Sequence, residues 1–129
     1  MLDTHVLLWL LVSPEHLSRS AASAIRRARN SDGIAVADIT LLELAMLFGK
    51  GAVRSHGTID QAVETVITAS GVNVRPITSK IAALALQFSA DYPRDPGDRL
   101  IGATARAEGL PLVTRDERIR ACPLLKTIW

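Results

Sequence analysis

Short apolar segments alternate with longer helical patterns along this chain, and this order of elements limits the fold more than any other feature. Residues 34–37 and 110–114 are mostly apolar segments of strand length, and residues 72–75 alternate valine with polar residues. A glycine precedes each of these segments. Leu2-Asp3 would end a very short first strand, and Leu124 to Trp129 would add a fifth at an edge. Because helices separate the strands, the strands must pair in parallel through right-handed crossovers. The sequence therefore predicts a single α/β domain over residues 1–129, with a small parallel sheet of four to five strands.

Helical patterns fill the intervals between these strands. Ser18 and Thr58 are typical N-cap residues, and Gly71 and Gly109 are typical of helix ends. The predicted helices are His5 to Val12, Ser18 to about Asn30, Thr40 to near Gly49, Thr58 to Gly71, one that begins at Thr78, and Asp98 to Glu108.

Composition excludes several classes of protein. A hydrophobic fraction of 48% and a mean hydropathy of +0.21 are typical of a compact globule. Aromatic residues make up only 4%, so we do not expect a base-stacking platform, and a net charge of +2 does not by itself indicate nucleic-acid binding. The single cysteine, Cys122, excludes an internal disulfide and fits a reducing compartment. Without a basic leader or a membrane-length apolar run, the sequence predicts a cytoplasmic protein with no membrane partner.

Acidic residues lie at element ends that should face the same side of the sheet. Asp3 ends the first strand, Glu43 follows the second within the first turn of a helix, Asp98 begins a helix, and Asp116 follows the fourth strand. In open parallel sheets, the loops at the carboxyl ends of the strands form the binding crevice. We therefore expect these acids to meet there.

Each acid also has a local structural explanation. Thr40-x-x-Glu43 fits a capping box, and both Asp3 and Asp116 could cap the helices that follow them. Asp95 fits a helix N-cap before Pro96, which we favour over a supporting role in the site. For any one acid taken alone, the structural explanation is the stronger one.

The acids taken as a set point to a metal site. Two carboxylates 4 Å apart repel by roughly 4 kcal/mol at an effective dielectric constant of 20. A divalent cation would relieve this repulsion, and oxygen ligands favour magnesium or manganese. Phosphodiester hydrolysis is the chemistry that such a cation best supports.

Four motifs, in this order, resemble those of the PIN-domain ribonucleases, and in particular of VapC-like toxins. They are Leu2-Asp3-Thr4-His5 with Leu7-Leu8-Trp9-Leu10, Thr40-x-x-Glu43, Asp95-Pro96-Gly97-Asp98-Arg99-Leu100-Ile101, and Leu110-Pro111-Leu112-Val113-Thr114-Arg115-Asp116. The resemblance implies a three-layer α/β/α fold and a magnesium- or manganese-dependent endoribonuclease. It also implies a homodimer and a small VapB-like antitoxin that inhibits the enzyme and binds DNA.

The resemblance also assigns roles to residues. Asp3, Glu43, Asp98 and Asp116 match the acidic catalytic site, with Asp3, Asp98 and Asp116 as the metal ligands. Thr4 and Thr114 match supporting polar positions, to which we add Asp95. Relatives often have phenylalanine where Gly97 stands, so we expect a less rigid turn before Asp98.

Other residues are candidates for binding. Arg94, Arg99 and Arg115 flank the acids and are candidate RNA contacts, whereas a solvent-exposed helix face is the default for Arg26, Arg27 and Arg29. His5 could face the crevice, but we expect it in solvent or in a core hydrogen bond. The apolar run around Leu42 and Met46 is expected to be mostly core, with an exposed remainder that could receive a partner.

Two other functions remain open from the sequence. A catalytically weak PIN-like interaction module would use the same acids only as helix caps. An aspartyl-phosphate receiver or phosphatase would need a second acid close to Asp3 and a well-placed lysine after the fourth strand, and the sequence has neither.

Overall fold

The computed structural model describes residues 1–54 and 57–129 of the chain. Within these residues, four strands alternate with seven α-helices and one 3-10 turn, Pro14–His16. The strands are β1 (Ile34–Ala37), β2 (Val72–Arg75), β3 (Leu112–Val113) and β4 (Thr127–Ile128). The helices are α1 (Thr4–Val12), α2 (Arg19–Arg29), α3 (Ile39–Gly49), α4 (Ile59–Ser70), α5 (Ser79–Ala85), α6 (Pro96–Glu108) and α7 (Glu117–Arg120).

Two parallel strand pairs are joined by a single residue near the start of the chain. β1 pairs with β2, and β3 pairs with β4. Leu2 forms a parallel bridge with Val113, and its N–H donates to the carbonyl of Ala35 at 2.9 Å. The strand order is therefore β2, β1, Leu2, β3, β4. The predicted very short first strand corresponds to this bridge.

Strands β3 and β4 are shorter than their apolar patterns predicted. Pro111 has no N–H to give to a neighbouring strand, so β3 begins only at Leu112. Before β4, the N–H of Leu125 donates to the carbonyl of Cys122 at 3.3 Å, which closes a turn. Only Thr127 and Ile128 then remain for pairing.

Apolar side chains pack against both faces of the strands. On one face, Ala35, Ala37 and Leu112 belong to a core with α5, α6 and α7. On the other face, Ile34 and Val36 alternate with them and belong to a core with α1, α2 and α4. The predicted three-layer α/β/α arrangement with a small parallel sheet is confirmed. None of the described helices is long and apolar enough to span a membrane.

The start of α3 differs from the predicted capping box. Asp38 occupies the N-cap position, and the helix begins at Ile39. Thr40 is therefore inside the first turn and completely buried, with its hydroxyl 3.2 Å from that of Thr4. Glu43 lies too far along the helix to reach back to a cap, so the capping-box explanation is wrong.

The start of α6 lies earlier than Asp98. Asp95 is the N-cap, because its Oδ1 accepts a hydrogen bond from the N–H of Gly97 at 2.8 Å. Pro96 occupies the first helical position, where its missing N–H has no consequence. The cap explanation of Asp95 is therefore confirmed, and Asp98 lies in the first turn of the helix.

Candidate active site

The carboxylates that the sequence predicts to converge lie at the carboxyl-terminal edge of the strands. Asp3 follows Leu2 and caps α1, and Asp116 follows β3 and caps α7. Glu43 projects from α3, which follows β1, and Asp98 lies at the start of α6. The cap explanations of Asp3 and Asp116 are correct for their own helices, but they do not exclude a shared site.

Asp98 has the clearest electrostatic signature of this convergence. Its pKa is raised from 3.8 to about 7, and burial of the carboxyl group is the largest cause. Neighbouring negative charge raises the pKa further, in decreasing order from Asp3, Asp95, Glu43 and Asp116. The structure therefore brings these carboxylates close enough to repel one another. Because a carboxyl group with this pKa is about half protonated at neutral pH, it can lose a proton when a cation arrives.

Glu43 is held in the site by Thr4. The Thr4 hydroxyl donates a short hydrogen bond to Oε2 of Glu43. Burial raises the pKa of Glu43, the hydrogen bond from Thr4 opposes this effect, and the negative charges of Asp3 and Asp95 raise the pKa further. His5 lowers the pKa slightly. The Thr4 hydroxyl therefore orients one oxygen of the Glu43 carboxylate.

Thr114 connects two of the acids. Its completely buried hydroxyl donates to Oδ2 of Asp3 at 2.6 Å and accepts from the N–H of Asp116 at 3.1 Å. Oδ1 of Asp116 accepts from the N–H of Ile119 at 2.9 Å. One side chain therefore fixes both the orientation of the Asp3 carboxylate and the backbone that carries Asp116.

Gly97 provides space for Glu43. A Cβ atom at this position would collide with the Glu43 carboxylate and would lie 2.9 Å from Oδ1 of Asp95. The Glu43 carboxylate therefore packs directly against the α-carbon of Gly97, and any larger side chain at position 97 would displace it. The sequence indicated only backbone freedom at Gly97 and did not reveal this packing role.

Tyr92 is a supporting residue that the sequence analysis missed. It is 1% exposed, and its hydroxyl donates to the backbone carbonyl of Asp98 at 3.1 Å. Burial raises the pKa of Tyr92, and the negative charge of Asp98 raises it further. Its ring stacks on Phe88 with centroids 4.1 Å apart, over Gly102, where a Cβ atom would collide with the ring. The available sequence signal for this packing was a tyrosine shortly before a helix, α6, that is rich in small residues.

The three candidate RNA-binding arginines have different environments. Arg99 uses its guanidinium on backbone carbonyls, with Nη1 donating to Ala85 and Phe88 and Nη2 to Ser89, each at 3.2 Å. Arg99 therefore closes the C-terminal end of α5 instead of facing the acids. Arg94 and Arg115 are exposed and remain the candidates.

A cavity of about 320 Å³ opens beside the acids. Thr4, His5 and Glu43 contribute to its polar side, and α3 contributes an apolar side with Leu42 and Met46. His5 is exposed, so the predicted solvent position is correct, but it also lines this cavity. Leu42 and Met46 are 55% and 49% exposed.

The donor set fits a hard divalent cation with a partial water shell. Within residues 1–54 and 57–129, no three His, Cys, Asp or Glu side chains form a ready-made metal site. Magnesium, however, usually binds through one or two carboxylates and keeps several waters. Burial, followed by the negative charge of the neighbouring carboxylates, raises the pKa of Asp98, and a divalent cation would neutralise that charge.

Comparison with known proteins identifies the family. The chain matches the PIN domain over residues 1–123. It is 38% identical over 135 aligned positions to Ribonuclease VapC22 of Mycobacterium tuberculosis (strain ATCC 25618 / H37Rv), with 100% of this chain and 97% of that protein covered.

Solved structures show the same fold. VapBC2 from Rickettsia felis, bound to a promoter DNA fragment, superimposes with a TM-score of 0.69 at 18% identity, covering 98% of this chain and 95% of the other. DNA-bound VapBC from Salmonella typhimurium gives a TM-score of 0.66 at 25% identity, with 98% and 94% covered. The predicted resemblance is confirmed, and the chain belongs to the PIN-domain family.

Proposed function

We propose that the protein is a magnesium- or manganese-dependent endoribonuclease that acts as the toxin of a toxin–antitoxin pair. The observation that carries this proposal is the convergence of four carboxylates from separate elements, those of Asp3, Glu43, Asp98 and Asp116. Among them, the pKa of Asp98 is raised to about 7. Membership of the PIN-domain family supports a nuclease, and the 38% identical relative is named a ribonuclease.

Asp3, Asp98 and Asp116 would hold the metal, one or two of them directly and the rest through metal-bound water. When bound, the cation supplies positive charge at the scissile phosphate and lowers the pKa of a water molecule. Thr114 orients the Asp3 carboxylate, which accepts its hydrogen bond at 2.6 Å. Asp98 releases its proton as positive charge enters the site, because the proton and the cation compensate the same negative charge.

Glu43 would accept a proton from the attacking water. Its raised pKa makes it a better base than an exposed glutamate, and the hydrogen bond from Thr4 fixes one carboxylate oxygen. Arg94 and Arg115, both exposed, would attract the phosphate backbone toward a site that is otherwise acidic.

An RNA cleavage assay tests this function. We expect cleavage of an unstructured RNA with magnesium, loss of cleavage with EDTA, and at least a 100-fold lower rate for Asp98→Asn, the order of effect expected when an electrostatic or proton-transfer group is removed. Asp32→Asn is the matched control, because Asp32 is exposed in the turn before β1. Undiminished cleavage by Asp98→Asn would contradict the proposal.

The apolar side of the cavity supports an antitoxin as partner. Similar solved structures are toxin–antitoxin complexes, and the exposed Leu42 and Met46 could receive apolar side chains from a VapB-like segment. A cationic side chain of that segment would pair with Glu43. We expect Met46→Glu to weaken inhibition by a co-expressed antitoxin. Leu86→Glu, at a position 84% exposed outside the cavity, should leave inhibition intact.

The family resemblance also leads us to propose a homodimer, which sedimentation analysis would test.

A catalytically weak PIN-like interaction module is the second candidate. It is favoured by the finding that no three potential ligands among the described residues form a ready-made metal site. Manganese titration separates the two functions, because a cation that binds only the folded protein must raise its melting temperature. A module without a metal site would show no such shift.

A further inference from the structure

Both tryptophans of the chain lie side by side, although they come from opposite ends of the sequence. The ring centroids of Trp9 and Trp129 are 5.8 Å apart, and that of His16 lies 5.7 Å from Trp9. On the same helix as Trp9, the His5 ring lies 6.2 Å away. Both tryptophans are partly exposed, and both histidines are exposed. A low aromatic content therefore does not prevent a local concentration of rings.

A cation completes this cluster. The guanidinium carbon of Arg115 lies 6.0 Å from the centroid of the Trp9 ring, within the range of a cation–π contact. Among the described residues, the Arg115 guanidinium donates no hydrogen bond to another protein atom, so its N–H groups are free for a ligand. We call Trp9, Trp129, His5, His16 and Arg115 the aromatic patch.

The aromatic patch is continuous with the acidic site. Arg115 lies between Thr114 and Asp116 in the sequence, and His5 lines the cavity beside Glu43. Trp9 is six residues after Asp3 along α1, or about 9 Å at 1.5 Å per residue. A polynucleotide chain with one phosphate at the acids would therefore reach the patch with a neighbouring nucleotide.

Its chemistry matches unpaired RNA. Proteins that bind single strands combine aromatic rings, on which bases stack, with cations that contact the backbone. The patch offers tryptophan and histidine rings together with the guanidinium of Arg115. On the basis of the proposed function, we propose that the aromatic patch stacks an unpaired base of the RNA substrate and that Arg115 binds the adjoining phosphate.

Tryptophan fluorescence tests this proposal directly, because both tryptophans of the chain belong to the patch. The protein carries Asp98→Asn so that RNA stays intact, and the probe is a short unstructured oligoribonucleotide of mixed sequence. We expect RNA to quench the fluorescence at the same concentrations that saturate binding measured by polarisation of a labelled probe. A duplex of the same sequence should quench less.

Substitutions test which residues of the aromatic patch contribute to RNA affinity. Trp9→Leu and Arg115→Gln should each weaken RNA binding by about tenfold, and Trp9→Phe should restore most of the affinity lost in Trp9→Leu. Arg26→Gln is the matched control, because Arg26 is exposed on α2 and should leave affinity unchanged. Equal melting temperatures would show that the variants are folded.

Three results would overturn the proposal. The first is unchanged fluorescence at RNA concentrations that saturate binding. The second is equal affinity of the wild-type and Trp9→Leu proteins. The third is a shift in tryptophan emission that depends on protein concentration alone, since this would assign the patch to contact between two copies. Failure of the proposed function has a different result, because quenching would persist while the wild-type protein cleaved no RNA.

Discussion

Replacement of Asp98 by asparagine should stabilise the metal-free protein at alkaline pH, although it removes a proposed metal ligand. Burial and neighbouring carboxylates raise the pKa of Asp98 from 3.8 to about 7. Below pH 4, the group is protonated in both the folded and the unfolded chain, so it costs nothing. Between pH 4 and 7, the unfolded chain releases the proton that the folded chain keeps, so stability falls as pH rises. Above pH 7, the carboxyl group of Asp98 is ionised in the folded protein, so its full destabilising effect is present.

The size of this effect follows from the pKa shift. A shift of roughly three pH units corresponds to at most about 4 kcal/mol. Because the side chain is only partly buried, screening by water should reduce this to about 2 kcal/mol. For a domain of this size, 2 kcal/mol corresponds to about 8 °C in melting temperature.

Thermal unfolding in EDTA at pH 8 and pH 4 measures this difference. We expect Asp98→Asn to melt about 8 °C higher than the wild type at pH 8 and at about the same temperature at pH 4. Asp32→Asn should match the wild type at both values. Addition of manganese should then stabilise the wild type more than Asp98→Asn. If the variant has no advantage at pH 8, or keeps its advantage at pH 4, the carboxylates do not repel as described.

Three further substitutions test the contacts around the acids. Gly97→Ala should reduce RNA cleavage and destabilise the protein by about 1–3 kcal/mol, because the new methyl group displaces Glu43; urea unfolding and a cleavage assay measure both effects. Thr114→Val should destabilise the protein by about 2 kcal/mol, because Asp3 loses a buried hydrogen bond, and Thr114→Ser should recover most of that loss in the same unfolding assay. Tyr92→Phe should lower stability by about 1 kcal/mol in urea unfolding because the Asp98 carbonyl loses its hydrogen bond from the tyrosine hydroxyl, and unchanged stability would contradict that role.

Features set by local pattern or by chain order could be predicted from the sequence. Gly33 and Gly71 mark the turns before β1 and β2, and the strands occupy the residues expected. The rule for parallel sheets correctly placed Asp3 and Asp116 at the ends of neighbouring strands. These predictions depend only on which residue follows which element.

Choices that depend on distant contacts could not be predicted. The sequence predicted that α3 begins at Thr40, but Asp38 takes the cap position. The N–H of Asp38 donates to the carbonyl of Arg75, and its carboxylate accepts from the N–H of Ile77. Nothing in the sequence distinguished the environment of Arg99 from that of Arg115. Arg99 donates to backbone carbonyls at the end of α5, whereas the guanidinium of Arg115 lies over the Trp9 ring. Such partners are known only once the chain is folded.

Local capping and the shared acidic site are consequences of the same topology. In a parallel α/β arrangement, the helices that follow the strands begin at the carboxyl edge of the sheet, so cap residues meet there. The carboxylates of Asp3, Asp95 and Asp116 each accept a backbone N–H, which stabilises their negative charge. Within the described part of the chain, the Asp98 carboxylate accepts no hydrogen bond, and it is the group whose pKa rises to about 7. Burial and the neighbouring negative charges therefore act together on Asp98, where a divalent cation would have its largest effect.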